Sequence, residues 1–376
     1  MDKPQRCARC VLDTTIPNIR FDDKGVCNYC KIHDDLGEEF PRGEEGQKCL
    51  EVLVQKIQSK GKNKPYDCVV GVSGGRDSTY TLYIAKQLGL RPLAVHFDNG
   101  WNSEIAVSNI KNAVSRLNID LFTHVADWEE FKSLQLSFLK ASVSDAEIPT
   151  DVAIFGTLHQ AAAREGIQYI LNGHSFRTEG VMPIGWTYMD GKYINSVHHI
   201  FGGAKLRTIP NFTLTDMLYF TYVKRIKVIP ILNYVPYNHD EIGKILEKEV
   251  GWQYYGGHHH ESYYTHFFQS FYLVQKFNID KRLVEYSALV RSGIIGREQA
   301  IEKMQIPYSF DEELVEYALI KLGLTHAEFN AMMAAPRKSF QDYPTYYPFI
   351  KAMRAPVKIA SDLGLIPSLL YSKFFA

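Results

Sequence analysis

The chain has 376 residues, 45% of them hydrophobic and 22% charged, a composition suited to a globular protein of two or three domains. Lys+Arg and Asp+Glu balance at 42 each, so no bulk positive field points to a nucleic-acid partner. The opening MDKPQRCARC lacks the apolar stretch of a secretion signal, and no run of ~18 apolar residues occurs, so the expected location is cytoplasmic with no membrane contact.

Six cysteines occur, at positions 7, 10, 27, 30, 49 and 68. The first four are spaced C-x2-C-x16-C-x2-C. Thiolates two residues apart grip one tetrahedral ion, and two such knuckles complete its shell. Cys7, Cys10, Cys27 and Cys30 are therefore expected to hold zinc. Its role would be structural, because four thiolates leave no position open for water. Asp22-Asp23-Lys24-Gly25 makes the turn into the second knuckle. Residues 1–45 are read as a zinc-ribbon module, and Gly37 to Gly46, rich in charge and glycine, as a linker. Cys68 falls in an apolar run and reads as a small core residue. Cys49 carries no signal.

Leu50–Ser59 suggests a helix and Gly61–Pro65 a loop. Strand and helix patterns then alternate. Strands are predicted at Asp67–Val72, Pro92–Phe97, Leu121–Ala126 and Gln168–Asn172. Helices are predicted at Thr79–Leu88, Ser103–Leu117, Trp128–Ala141 and Asp151–Gly166. This alternation predicts an α/β fold with a doubly wound parallel sheet over 60–232. Such sheets bind ligands beyond the carboxyl ends of their strands.

Ser73-Gly74-Gly75-Arg76-Asp77-Ser78 sits at the first of those ends. Its glycines let the backbone turn tightly against an anion, and the helix that follows offers unpaired N–H groups. Ser73 and Ser78 add hydroxyls, and Asp77 supplies a carboxylate for magnesium. It is not a Walker A loop, since GK[ST] is missing. Phe97 and Asp98, at the second strand end, are placed to meet adenine, although a plain turn at Asp98-Asn99-Gly100 would look the same. Asn172, Gly173 and His174, at the fourth, are placed to meet ribose. Asp190-Gly191 between Trp186 and Val197 reads as a two-residue hairpin turn. Lys205 and Arg207 could reach a phosphate or lie on a solvated loop.

From about 233 to 376 the pattern is mostly helical, with candidates at Asp240–Val250, Phe267–Phe277, Lys281–Ser292, Arg297–Lys303 and Asp311–Leu322. Gly256-Gly257-His258-His259-His260-Glu261-Ser262 interrupts it and reads as a substrate-facing loop, with surface decoration as the alternative. Adjacent histidines diverge on any regular backbone, so one ion would not take all three.

SGGRDS resembles the pyrophosphate loop, SGGxDS, of the PP-loop ATP pyrophosphatases. Together with Cys10-Val11-Leu12-Asp13-Thr14, Gly25-Val26-Cys27-Asn28-Tyr29-Cys30 and GGHHHES, it resembles the N-acetyl sugar amidotransferases of bacterial surface-polysaccharide (lipopolysaccharide O-antigen) biosynthesis. The resemblance implies an ATP-dependent enzyme that adenylates the acetamido oxygen of a nucleotide-linked N-acetyl sugar and installs ammonia, giving an acetamidino sugar. It implies that Ser73, Gly74, Gly75, Asp77 and Ser78 hold ATP, with Mg2+ at Asp77. It assigns Arg76 no role. Lys205 would stabilise charge at the α-phosphate, and His258, His259 and Glu261 would contact substrate or move protons. The implied partners are a separate glutaminase and a cyclase-like ammonia-delivering subunit. The chain's own cysteines fit that division, since none is left over as a glutaminase nucleophile. The alternative is a tRNA-modifying sulfur transferase of the same superfamily. Many of those use cysteines in the catalytic domain, and this chain has none after Cys68.

Overall fold

The computed structural model describes residues 4–257, 259–362, 371 and 374–375. The cysteine knuckles come first, followed by α1 (Asn28–Glu39) and α2 (Gly43–Gly61). The sheet unit then runs β1 (Cys68–Gly71), α3 (Arg76–Gln87), β2 (Pro92–Asp98), α4 (Glu104–Leu117), β3 (Leu121–Val125), α5 (Trp128–Ala141), α6 (Ile148–Arg164) and β4 (Tyr169–Asn172). After it come α7 (Gly191–Phe201), α8 (Leu214–Leu218), β5 (Lys227–Pro230) and α9 (His239–Val250). The remainder is helical: α10 (Tyr263–Phe267), continued by π-helical turns over Phe268–Phe277, then α11 (Arg282–Arg291), α12 (Arg297–Gln305), α13 (Glu312–Leu322), α14 (His326–Ala334), α15 (Tyr347–Ala352) and α16 (Arg354–Asp362).

All five strands are parallel, in the order β3-β2-β1-β4-β5. The chain winds outward from β1 through β2 to β3, then returns to β4 and winds the other way. The winding reverses between β1 and β4, where Val69 pairs with Ile170 and Val70 with Leu171. Side chains of β1 alternate between the faces. Cys68 and Val70 join the core under α2, α3, α4 and α9, and Val69 joins the core under α6. The sheet is therefore covered on both faces, as predicted.

Three expectations need correction. Asp190-Gly191 does not turn a hairpin. Asp190 caps α7 by accepting from the Tyr193 N–H at 2.6 Å, and Tyr193, Ile194 and Val197 bury one helical stripe. The linker expected over Gly37 to Gly46 is mostly helix, with a break only between α1 and α2; its glycine and acidic residues are helix-end residues, Gly43 at φ +69° and Glu44 and Glu45 in the first turn of α2. The edge strand β5 was not expected, being four residues long and ending in Pro230.

The second knuckle of the cysteine module opens into a helix, with Cys27 as the cap residue of α1 and Cys30 in its first turn. The sulfurs lie 3.8 Å (Cys7 to Cys30), 3.7 Å (Cys10 to Cys27) and 3.6 Å (Cys27 to Cys30) apart, and all four lie within 4.8 Å of one another. Sulfurs bound at about 2.3 Å around a tetrahedral zinc stand about 3.8 Å apart. The donor set thus fits a structural zinc ion. The module packs on the C-terminal helices: Arg291 Nη2 approaches Cys10 Sγ at 3.5 Å, and Arg297 donates to the carbonyls of Cys7 (3.0 Å) and Cys10 (3.2 Å). We expect about one zinc per chain by elemental analysis, with Cys27→Ser losing the metal and lowering the unfolding midpoint by on the order of 10 °C. Full stability without metal would refute a structural zinc.

Candidate active site

The loop after β1 turns at Gly74, whose φ is +80°. A Cβ there would stand 2.2 Å from the Ala106 carbonyl oxygen, so only glycine fits against α4. Trp252 Nε1 (3.0 Å) and Asn109 Nδ2 (3.1 Å), both on buried residues, donate to the Gly74 carbonyl and hold the turn. The rest of the loop is self-bonded. Ser73 N–H donates to Ser78 Oγ at 3.2 Å, and Ser78 Oγ donates to the Gly75 carbonyl at 3.1 Å. Gly75 occupies the cap position of α3 and no side chain caps the helix. Tyr255 OH takes the Arg76 N–H, and the remaining N–H groups of the first turn of α3 are those that could face an anion.

Beside the loop opens a cavity of about 650 Å³ at the carboxyl edge of the sheet. Residues far apart in sequence close it. Glu261 is brought in by a graft of its loop onto the β2–α4 connection. Ser103 N–H donates to the Glu261 carbonyl, and Tyr263 N–H to the Trp101 carbonyl, both at 2.9 Å. The Glu261 carboxylate then accepts from Ser73 Oγ at 3.3 Å. His259, at φ +61°, holds Nδ1 3.8 Å from the same carboxylate. Burial disfavours its charge, but Glu261, with Glu179 and Glu147, outweighs burial and raises its pKa above the ordinary value. On the other side, His174 Nδ1 meets Glu179 Oε2 at 2.6 Å.

Of the residues singled out from the sequence, Ser73, Gly75, Asp77, Ser78, Phe97, Asn172, Gly173, His174, His259 and Glu261 line this cavity. Gly74 shapes it through the backbone. Asp98 does not line it; its Oδ1 accepts from Gly100 N–H (2.9 Å) and Asn102 Nδ2 (3.3 Å), and Asn99 faces the cavity instead. Gly173 is a glycine because a Cβ would stand 3.0 Å from the Asp77 carbonyl and Thr81 Oγ1, so it lets β4 approach α3. Lys205 is not brought in. Its loop is pinned on α5, with Gly203 and Ala204 N–H donating to Ser133 Oγ and Arg207 and Thr208 N–H to Glu130 Oε2, and Lys205 is exposed. His258 lies outside the described residues.

One functional candidate escaped the sequence reading. Arg76 lines the cavity and donates through Nε to Tyr237 OH (3.1 Å) and Asp77 Oδ1 (3.3 Å), while its N–H donates to Tyr255 OH at 3.2 Å. Tyr237 OH also donates to Asp77 Oδ1. The variable position of the motif is thus the loop's own cation.

Residues 261–355 match the family described as LPS biosynthesis protein WbpG-like, C-terminal domain. An uncharacterized protein of Methanocaldococcus jannaschii is 23% identical over 325 residues, spanning 82% of this chain and 97% of that protein. Among solved structures, an NH3-dependent NAD synthetase from Campylobacter jejuni is 15% identical and covers 71% of this chain and 99% of its own, at a TM-score of 0.30. An NMN synthetase from Francisella tularensis is 14% identical over 56% of this chain and 87% of its own, at 0.27. A predicted tRNA methyltransferase subunit from Methanocaldococcus jannaschii is 13% identical over 48% of this chain and 75% of its own, at 0.29.

The WbpG-like segment supplies one wall of the cavity. Glu261, Gln269, Lys281, Arg282, Glu285 and Tyr308 all come from it. Lys281 Nζ lies 3.1 Å from Glu147 Oε2, which also accepts from Gln269 Nε2 at 3.3 Å. No described helix is long and apolar enough to cross a membrane.

Two measurements follow from this geometry. Gly74→Ala should abolish nucleotide binding by calorimetry and destabilise the fold by roughly 2–4 kcal/mol, strain and clash together. Gly166→Ala has a similar φ of +67° but open space around its Cβ, so it should cost only about 1 kcal/mol and leave binding intact. Equal effects would mean that the Ala106 contact is unimportant. Separately, imidazole NMR should find His259 still protonated at pH 8, and in Glu261→Gln its pKa should fall steeply, because burial then loses its main opponent. Because the folded pKa is raised, the stability that this pair adds is complete below the unfolded pKa and is lost as pH rises through the folded one.

Proposed function

We propose that the chain is an ATP-dependent amidotransferase of the PP-loop type. It would convert the acetamido group of a nucleotide-linked N-acetyl sugar to an acetamidino group during surface-polysaccharide synthesis. The observation that carries this reading is the contact between the two halves of the cavity. Glu261, from a segment matched to LPS biosynthesis proteins, accepts from Ser73 of the anion-binding loop. The SGGRDS loop and the segment similar to LPS biosynthesis proteins thus line the same cavity, which supports the reading.

In this reading 1–45 is the metal module, 60–232 binds ATP and 233–376 bears the acceptor wall. The acetamido oxygen attacks the α-phosphorus of ATP, and pyrophosphate leaves. Ammonia then adds to the activated carbon, a proton is lost and AMP departs. Mg2+ would be held through the Asp77 carboxylate together with the phosphates, which is how that ion is usually bound, and would neutralise the leaving pyrophosphate. With no lysine in the loop and Lys205 outside the cavity, Arg76 and the imidazolium of His259 are the cations beside the phosphates. Glu261, paired to His259, is positioned to take the proton that ammonia loses. No cysteine lines the cavity, and Cys68 is buried in β1, so ammonia would come from a separate glutaminase with a cyclase-like delivering subunit.

The test is turnover with ATP, magnesium, ammonium chloride and a panel of UDP- and CMP-linked N-acetyl sugars. One sugar should give AMP and product in equal amounts, the product about 1 Da lighter as oxygen is exchanged for NH. Glutamine should not replace ammonium. Asp77→Asn should lower kcat about a hundredfold or more. AMP formed only with tRNA and a sulfur donor would move the reaction to the sulfur transferases. No AMP with any acceptor would remove the enzymatic reading.

A further inference from the structure

A second pocket, of about 310 Å³, lies where the cysteine module, the α1–α2 junction, the loop after β4 and the end of α11 meet. Arg9, His33, Arg42, Arg177 and Arg291 line it, with Asp34 and Glu38 as its carboxylates. The charges do not balance. Arg9 takes both oxygens of Asp34, at 2.5 and 2.8 Å. Arg291 is committed to the cysteine cluster through Cys10. Neither Arg42 nor Arg177 forms an ion pair with a described carboxylate, Glu38 included.

Arg177 is the decisive residue. It is only 7% exposed. Its Nη2 donates to the Phe40 carbonyl at 2.6 Å and its guanidinium lies over the Phe176 ring at 4.4 Å, but Nη1 has no partner among the described residues. Arg291 Nε and His33 Nδ1, beside the same pocket, are equally unpartnered. Burial, and then the neighbouring Arg42, pull the Arg177 pKa down to about 10. A buried guanidinium with an open donor and a like charge beside it is costly unless an anion completes it.

We propose that this pocket binds an oxyanion of the phosphate class, held by Arg177 and Arg42. A guanidinium fork matches its oxygens, and Arg42 and Arg177 together outweigh Glu38, the one carboxylate of the pocket that Arg9 does not hold, which favours a multiply charged oxyanion. The site has a mechanical consequence. Arg177 belongs to the loop whose His174 and Glu179 line the main cavity. Arg177 N–H donates to Ser175 Oγ (3.3 Å), Ser175 Oγ donates to Asn233 Oδ1 (2.8 Å), and Ser292 Oγ donates to the Arg177 carbonyl (2.9 Å). An anion on Arg177 would brace this loop from the side away from the nucleotide. The proposal does not depend on which reaction the main cavity performs.

The experiment is calorimetric titration of the zinc-loaded full chain with inorganic phosphate and, separately, with AMP, at constant ionic strength. Native protein, Arg42→Gln, Arg177→Gln and Ser73→Ala are compared. Arg42 is exposed, and its variant is checked for zinc content and circular dichroism before use. Saturable phosphate binding weakened about tenfold in Arg42→Gln and unchanged in Ser73→Ala is the expected result. Within Ser73→Ala, competition by AMP would mark the ligand as the phosphoryl group of a larger molecule, and lack of competition as free phosphate. Either fits the site. Hydrogen exchange over residues 175–180 should slow with phosphate. No saturable binding, binding lost only in Ser73→Ala, or native affinity retained in both arginine variants would overturn the site. Unchanged exchange would overturn the brace.

Discussion

The carboxyl edge of the sheet is organised by a single backbone constraint, the left-handed turn at Gly74 pressed against the α4 main chain. With 2.2 Å between the Ala106 oxygen and the place of a missing Cβ, no side chain is tolerated. The turn would not hold by itself, because its carbonyl would be left without partners. Asn109 on α4 and Trp252 beyond α9 supply them, and Gln253 locks Asn109 by donating to its Oδ1 at 2.8 Å while its carbonyl accepts from Nδ2 at 2.9 Å. A six-residue motif therefore depends on residues up to 178 positions away. The buried Trp252 and Asn109 hold the loop's shape as much as the two serines do.

The cysteine cluster and the cavity are joined by one helix. α11 begins at Arg282, with Arg282 and Glu285 on the cavity wall, and ends at Arg291, which meets Cys10. Ten residues of helix span about 15 Å. Four thiolates around a divalent ion leave net negative charge, and Arg291 with the carbonyl contacts of Arg297 answers it where water is scarce. The cysteine module thus has an architectural consequence. It fixes the far end of the helix that presents part of the chamber's wall.

The strands β1 to β4 and most helices were legible because each buries a stripe with its own period, and the four cysteines because metal geometry restricts their spacing. What failed has local causes. In β5, four residues that begin at Lys227 and follow Lys224 and Arg225 show no alternation, and only pairing with β4 defines the strand. Asp190-Gly191 has hairpin chemistry, but the helical stripe at Tyr193, Ile194 and Val197 outweighed it. Lys205 looked like a phosphate ligand by charge alone, and the hydrogen bonds that turn its loop toward α5 come from Glu130 and Ser133, which nothing in the local sequence announces. Arg76 was passed over because motif logic treats its position as variable. Its role comes from Tyr237 and Tyr255, more than 150 residues on.

The composition of the chamber restricts how it can work. Among its ionisable side chains, carboxylates outnumber cations, and the cations that are present are engaged: Arg76 with Asp77, His259 with Glu261, Lys281 with Glu147 and Arg282 with Asp280. Such pairs are poor at seizing a polyanion outright, since each cation must share its charge. They are well suited to holding fixed dipoles in place at little reorganisation cost while charge develops on a bound group. Ground-state grip would then come mainly from the backbone cradle and helix terminus, where the N–H groups are fixed in place beside Asp77 and Glu261. Discrimination among acceptors would fall to the WbpG-like wall, where Gln269, Glu285 and Tyr308 offer neutral or acidic partners of the kind that sugar hydroxyls need. In the proposed function, binding and selection would thus be divided between the first and last thirds of the chain, with the Ser73–Glu261 contact where they meet.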